Sequence, residues 1–427
     1  MGGDLIAQAV RLVAQLAVIL VAAKIGAELC ERYLKQPAVL GELIAGVLIS
    51  PFLFGSYIPF FEGGALFPQP AQAVGIPIPP PLFAVAQLAA VILLFLAGLE
   101  TDLKQFLKYA LAATVVAMGG VIVPFFLGAY LTVAFGVAEH FYDPNALFVG
   151  SILTATSVGI TARVLGDIGK LDTPEGVTIL GAAVVDDVLG ILVLSIVIAI
   201  SVAETHGGPI NFKEIGFLGL RAIGFWVGLM VVGILGAPVF EKFLHWFKTR
   251  GSTVPLALAV CFFASCLAEW AGLAMIIGAY AIGLSLSSRP IAKELIESVE
   301  PVFHFLVPVF FVVTGMMVNL NAIGSMPMFA IAITIAAIFA KWFGCTTTAL
   351  GMGFNMTGAN RVGIGMIPRG EVALIVAQVG IAKGIIDQGI YGVAILMAFV
   401  TTLFAPIGLG PVFRRGGVGI RPKTKEA

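Results

Sequence analysis

Apolar stretches long enough to cross a bilayer run through almost the whole of this sequence. Separated by charged or Pro/Gly-rich breaks, they fall at 6–28, 37–55, 81–99, 107–135, 146–166, 176–203, 216–240, 252–270, 272–288, 301–319, 325–350, 362–384 and 388–411. A bilayer core about 30 Å thick takes about 20 apolar residues per helix, so the chain reads as thirteen transmembrane spans. A membrane barrel would instead show alternating segments of about ten residues, and none is present. Composition agrees: 11% of residues are charged and mean hydropathy is +1.05. Soluble domains carry roughly 25% charged residues. At half that, a chain of 427 residues cannot cover a globule with polar surface. A soluble enzyme, a disordered chain and a disulfide scaffold are excluded, which leaves an all-α polytopic membrane protein.

Lys and Arg concentrate in alternate loops. One side carries Arg32, Lys35, Lys104, Lys108, Arg163, Lys170, Lys242, Lys248, Arg250, Arg289, Lys293 and Arg361, with Arg414, Arg415, Arg421, Lys423 and Lys425 in the tail. The other side holds little beyond Lys213 and Lys383. Positive charge stays in the cytoplasm, so the N-terminus is expected outside and the C-terminus cytoplasmic, in keeping with an odd number of spans. Net charge is zero and implies no nucleic-acid partner. Cys30, Cys261, Cys266 and Cys345 lie in or beside apolar stretches without metal-ligand spacing and read as packing residues. The sequence shows no cleaved signal. The proline-rich loop 56–80 should be extended and outside, and the tail 412–427 short and cytoplasmic, with no fused regulatory domain.

The chain repeats itself. FLAGLETDL (95–103) in span three and VVTGMMVNL (312–320) in span ten share a pattern, and AGVLIS (45–50) in span two echoes IGLSLS (282–287) in span nine. Spans one to six (6–203) thus match spans eight to thirteen (252–411), with span seven (216–240) as linker. A single linker helix makes the second unit start on the opposite side. This is an inverted-topology repeat, an architecture of many secondary transporters.

Ionisable residues inside spans cost free energy and mark function. Span six holds Asp186 and Asp187 deep within apolar flanks. Adjacent residues point about 100° apart on a helix, so one carboxylate can meet a cation while the other faces water. Span eleven holds Lys341 near its middle; a buried lysine needs a partner, and Asp186 or Asp187 is the counter-ion expected. Span five is interrupted by Thr154, Thr156, Ser157 and Gly159, and span twelve by Pro368, followed by Arg369 and Glu371. Proline removes a helix hydrogen bond, and Ser and Thr satisfy freed backbone groups. Two interrupted helices in corresponding positions of two halves point to a midplane substrate site. Arg369 and Glu371 then serve either as substrate ligands or as charges offsetting the half-helix dipoles.

Together PAVLGELIAGVLISP (37–51), FLAGLETDL, TATSVGITARVL (154–165), VVDDVLG (184–190), Lys341 and PRGEVALI (368–375) resemble the monovalent cation/proton antiporters of the CPA2 group, specifically bacterial NapA-type sodium/proton antiporters. The resemblance covers almost the whole chain. It implies a NapA/NhaA-like antiporter fold with two broken crossing helices and a homodimer in the bacterial inner membrane. It also implies alternating access by a six-helix core of spans four to six and eleven to thirteen. It places the Na⁺ or proton on Asp187, with Thr154 and Thr156 beside the site, and pairs Asp186 with Lys341. No cofactor is expected beyond the transported Na⁺ (or Li⁺) and H⁺, and exchange should be electrogenic.

The runner-up is a potassium/proton antiporter of the same group. The potassium-efflux branch tends to carry Gln-Asp, often with a fused nucleotide-sensing domain; Asp186-Asp187 and a chain ending at 427 favour sodium. A ligand-gated receptor or channel would need a sensor domain or pore-lining repeats. An intramembrane enzyme would need an HExxH or GxSxG motif in a span; none occurs. His140, His206, His245 and His304 cluster with no carboxylates that would suggest a metal. Glu100 and Asp102 are expected at the cytoplasmic end of span three, and Glu42 near a cytoplasmic funnel.

Overall fold

A computed structural model describes residues 2–61, 63–69, 77–206, 212–247, 249, 251–319 and 326–421. Among them the chain is helical, with only two isolated β-bridges. The helices are α1 (Gly2–Leu29), α2 (Ala38–Leu48), α3 (Pro80–Glu100), α4 (Leu103–Ala134), α5 (Pro144–Thr154), α6 (Val158–Asp167), α7 (Pro174–His206) and α8 (Phe212–Trp246). There follow α9 (Thr253–Trp270), α10 (Met275–Leu286), α11 (Ile291–Met316), α12 (Pro327–Gly351), α13 (Met356–Gly365), α14 (Glu371–Ala382) and α15 (Gln388–Arg414). Among the described residues ten stretches are long and apolar enough to cross a membrane, α5 and α6 counting as one, and three shorter apolar helices lie at Ala38–Leu48, Met275–Leu286 and Val372–Ile381. That makes thirteen passes, in the order the hydropathy pattern predicts. The face where α1 begins (the N face) is therefore opposite the face where α15 ends (the C face).

Local chemistry sets many boundaries. Proline opens α3, α5, α7 and α12, where its missing N–H costs nothing. Asp102, Asp143, Asn355 and Asp387 cap α4, α5, α13 and α15, each accepting a backbone N–H of the first turn. Two boundaries differ most from the apolar stretches. The second span stops at Leu48 rather than 55, because Ser50 precedes Pro51 and that position disfavours the helical region. The tenth extends back to Ile291, since Lys293, Glu294, Glu297 and Glu300 continue the helix beyond its apolar part.

The helices form two bundles. One contains α4 to α7 and α12 to α15; the other contains α1, α2, α3 and α9 to α11, and α8 touches α7, α9 and α10. The bundles meet where α6 and α15 face α2 and α3. The repeated motifs explain the second bundle. A methyl added to Gly46 of α2 would stand 3.0 Å from the Cα of Gly315 of α11, and one added to Gly98 of α3 would stand 3.0 Å from the Cα of Gly283 of α10. Each is a backbone-to-backbone crossing that only glycine permits, and each pairs a motif of the first half with one of the second. The α8 surface is the reverse: Phe217, Leu220, Val232, Leu235 and Val239 are all exposed, as a lipid-facing helix requires.

Candidate functional site

The site is built where two helices fail. Between α5 and α6, Ala155 and Ser157 are extended (ψ 144° and 110°); between α13 and α14 the chain runs non-helically from Met366 to Gly370. The two breaks cross and are tied directly. Ser157 N donates to Pro368 O at 2.8 Å, Thr161 Oγ1 to Gly365 O at 2.8 Å and Thr156 Oγ1 to Met366 O at 3.5 Å. Gly370 allows the approach: a methyl there would lie 2.7 Å from Ser157 Oγ.

A broken helix leaves carbonyls without partners and a partial negative charge at each C-terminal end. Two buried cations answer this. Arg369, with no exposure, donates from Nε and Nη2 to Leu153 O at 3.1 and 2.7 Å and from Nη1 to Ile367 O at 2.7 Å. Lys341, equally buried, donates to Thr154 O at 2.6 Å and to Asp186 Oδ1 at 2.8 Å. The guanidinium thus bonds to the backbone of both breaks. The Glu371 side chain lies outside the described residues.

Asp187 projects from the next position of α7 and is 6% exposed. With Asp186, Thr154 and Ala155 it lines a cavity of about 350 Å³. The opposite wall is Phe83 and Gln87 of α3, Glu269 of α9 and the turn 272–276 into α10. Those residues sit at the N-face ends of their helices, so Asp187 is reached from the N face. Thr156 stands at the crossing, where its side chain reaches Met366 O and hydrogen-bonds the Asp186 carboxylate of the cavity wall.

Toward the C face the bundles are shut. A methyl on Gly159 of α6 would touch Phe310 of α11 at 3.4 Å and Leu93 of α3 at 3.5 Å. Below this plug is a smaller cavity of about 180 Å³, lined among others by Glu100, Arg163, Asp167, Glu300 and His304. Arg163 Nε meets Asp167 Oδ1 at 3.0 Å, and the guanidinium carbon lies 4.9 Å above the Phe303 ring. Glu42 is buried close by, and the charge acting on it most strongly is that of Arg163.

Sequence reading misses several of these residues. Glu269 and Gln87 stand at span ends, where a polar residue carries no signal of its own. Glu175 pairs with Arg361 at 2.7 Å, nearly buried, and Arg361 also bonds to Val412 O and Gly417 O, holding the tail against α7 and α13. That contact joins distant parts of the chain and has no local pattern. Among the described residues no group of His, Cys, Asp and Glu is arranged to hold a metal ion.

Comparison with known proteins now places the chain. The high-affinity Na⁺/H⁺ antiporter NhaS3 of Synechocystis is 38% identical over 423 residues, covering 93% of this chain and 89% of that protein. The Na⁺/H⁺-K⁺ antiporter GerN of Bacillus cereus is 34% identical, covering 92% and 94%. The sodium proton antiporter MjNhaP1 of Methanocaldococcus jannaschii shares the fold, with a TM-score of 0.68 at 19% identity over 96% of this chain and 99% of that one. Residues 17–415 match the transmembrane sodium/hydrogen exchanger family, and the chain belongs to that family.

Proposed function

We propose that this protein is a secondary antiporter that exchanges Na⁺ or Li⁺ for H⁺, with Asp187 as the group that carries either ion. The observation that carries the reading is the position of Asp187. It stands on the wall of an open cavity, one residue from a carboxylate already engaged by Lys341 and beside a helix break whose carbonyls are within reach of a cation. A carboxylate at this depth is costly as a bare charge, so it holds a proton or a cation. Cation and proton then compete for one group, which is the minimum an exchanger needs.

Asp186 and Lys341 complete the site. A cation beside the pair draws on the Asp186 charge, and Lys341 loses part of its counter-ion. If the lysine gives up its proton at that moment, exchange moves more protons than sodium ions and is electrogenic. Thr154 belongs to the cavity wall, Thr156 to the crossing, and Arg369 with Glu371 to the support of the broken helices.

The moving part is the bundle of α4 to α7 and α12 to α15, which holds both breaks and both aspartates. Residues 6–203 and 252–411 are the two repeats, with 216–240 between them. The apolar outer face and the loop charges support a position in the bacterial inner membrane with the N face outside and the C face cytoplasmic, and in that orientation the N-face cavity opens to the outside. The scaffold bundle of α1 to α3 and α9 to α11 supplies the surface for a homodimer. No cofactor is needed.

Potassium is the second reading, favoured by the name of GerN, which includes that ion. Two aspartates in a compact site compensate dehydration best for a small cation. The test is reconstitution into proteoliposomes with a pH dye inside and addition of sodium, lithium or potassium. Sodium and lithium should drive proton movement at concentrations where potassium drives little. An equal potassium response moves the chain to the second reading, and no response to any cation removes both.

A further inference from the structure

The two halves can be aligned by their helix crossings, residue by residue. Gly26 of α1 lies against Gly41 of α2, and Ala264 of α9 lies against Gly278 of α10 in the same way. Five residues beyond Gly26 is Glu31, and five beyond Ala264 is Glu269. The first half has one more residue between its crossing points than the second. A π-helical turn at Cys30–Leu34 accommodates it, as such turns accommodate single insertions. Likewise Gln87 and His304 each lie eleven residues before the matched glycines Gly98 and Gly315.

Three of the four matched residues line the two cavities. Gln87 and Glu269 line the open N-face cavity. His304, the match of Gln87, lines the C-face cavity. Glu31 is exposed on the C face, and its charge acts on both Glu42 and Asp167. Among the described residues Glu269 is the one charged residue on the N-face cavity wall apart from the two aspartates. Among the described residues neither Glu269 nor Glu31 is in an ion pair. Among the described residues no cation pairs with Glu269: the nearby Arg221 lies 4.8 Å over the Trp270 ring. Arg32, next to Glu31, pairs instead with Glu28 at 3.7 Å.

Resting on the antiporter reading above, we infer that Glu269 and Glu31 are twin gateway carboxylates, each gathering monovalent cations at one face. Glu269 serves the N-face cavity in the state seen here. Glu31 serves the C-face cavity when the core bundle shifts and the plug of Gly159, Phe310 and Leu93 opens. Both stand on the scaffold bundle, so they stay at their faces while Asp187 travels. A fixed negative charge at a cleft mouth raises the local concentration of cations and their arrival rate. It does not change the chemistry at the carrier.

The experiment presents sodium to one face at a time, using membrane vesicles of both orientations, and measures initial rates of proton movement. Glu269→Gln should raise the half-saturating sodium concentration on the order of fivefold at the N face and leave the C face and the maximal rate unchanged. Glu31→Gln should do the reverse. Glu269→Asp should restore the wild-type value, and added impermeant salt should shrink the difference as screening shortens. A variant that lowers the maximal rate equally at both faces has a structural role, and that result overturns the inference. Variants unshifted at either face in an active protein overturn it as well, while leaving the antiporter reading intact. A wild-type chain that moves no protons at either face removes that reading and the inference together.

Discussion

Lys341 and Asp186 meet at 2.8 Å with side chains 0% and 1% exposed, from helices that are neighbours only in space. Removing one partner of such a pair leaves an uncompensated buried charge, at a cost of about 3–5 kcal/mol. Lys341→Gln should therefore lower thermal stability in detergent, read by the unfolding midpoint, more than Asp186→Asn and Lys341→Gln combined. In the single variant that still reconstitutes, proton movement should respond less to an imposed membrane potential than in wild type. An unmutated protein that ignores the membrane potential would rule out the lysine as a proton carrier.

Arg369 gives three donors to the carbonyls of the two breaks. Each buried acceptor left without a partner costs about 1–3 kcal/mol, so Arg369→Ala should be strongly destabilising. Arg369→Lys should be intermediate, because one ammonium cannot reproduce the planar fork. The readout is thermal stability together with sodium affinity. If Arg369 only supports the crossing, the Lys variant that folds should keep wild-type half-saturation, and a large change in that value would make it a ligand instead.

The breaks, the aspartate pair and the central lysine are legible in the sequence because each violates an apolar helix in a way that hydropathy and torsional preference expose. The internal repeat is legible for a related reason: Gly46, Gly98, Gly283 and Gly315 recur where backbones must touch. Other features are not. Thr156 reads as an oxygen ligand by its place in the break, but its contact with Met366 O in the other break has no local pattern. The partners of Arg369 are backbone carbonyls, which no side-chain pattern announces. The start of α11 escapes hydropathy because its first turns are amphipathic, and the Arg361–Glu175 pair exists only once α7 and α13 are side by side.

Glycine crossings offer a controlled test of the scaffold. Gly46→Val and Gly283→Val each force a side chain into a backbone, and overpacking of this kind costs about 1–3 kcal/mol or more. Gly224→Val on α8 meets nothing within 4 Å and should leave the unfolding midpoint almost unchanged. Comparable losses in all three variants would show that the crossings are not tight.

Motion of one bundle against the other predicts different outcomes for two cross-links in a cysteine-free background. A methyl on Gly181 of α7 would stand 3.0 Å from the Ala113 Cβ of α4, within one bundle, so the disulfide Ala113→Cys/Gly181→Cys should be tolerated. Leu93→Cys/Gly159→Cys joins scaffold to core and should stop transport until reduced. Full cross-linking of the second pair with unchanged rates would exclude relative motion at that surface.

The central claim is that Asp187 carries both ions. Its most direct test is sodium-driven proton movement by Asp187→Asn beside wild type, at equal amounts of reconstituted protein. The expected result is loss of exchange at every sodium concentration, with the unfolding midpoint of the variant in detergent at or above that of wild type, since a costly buried charge has been removed. Substantial sodium-driven proton movement by the correctly folded variant would contradict the claim.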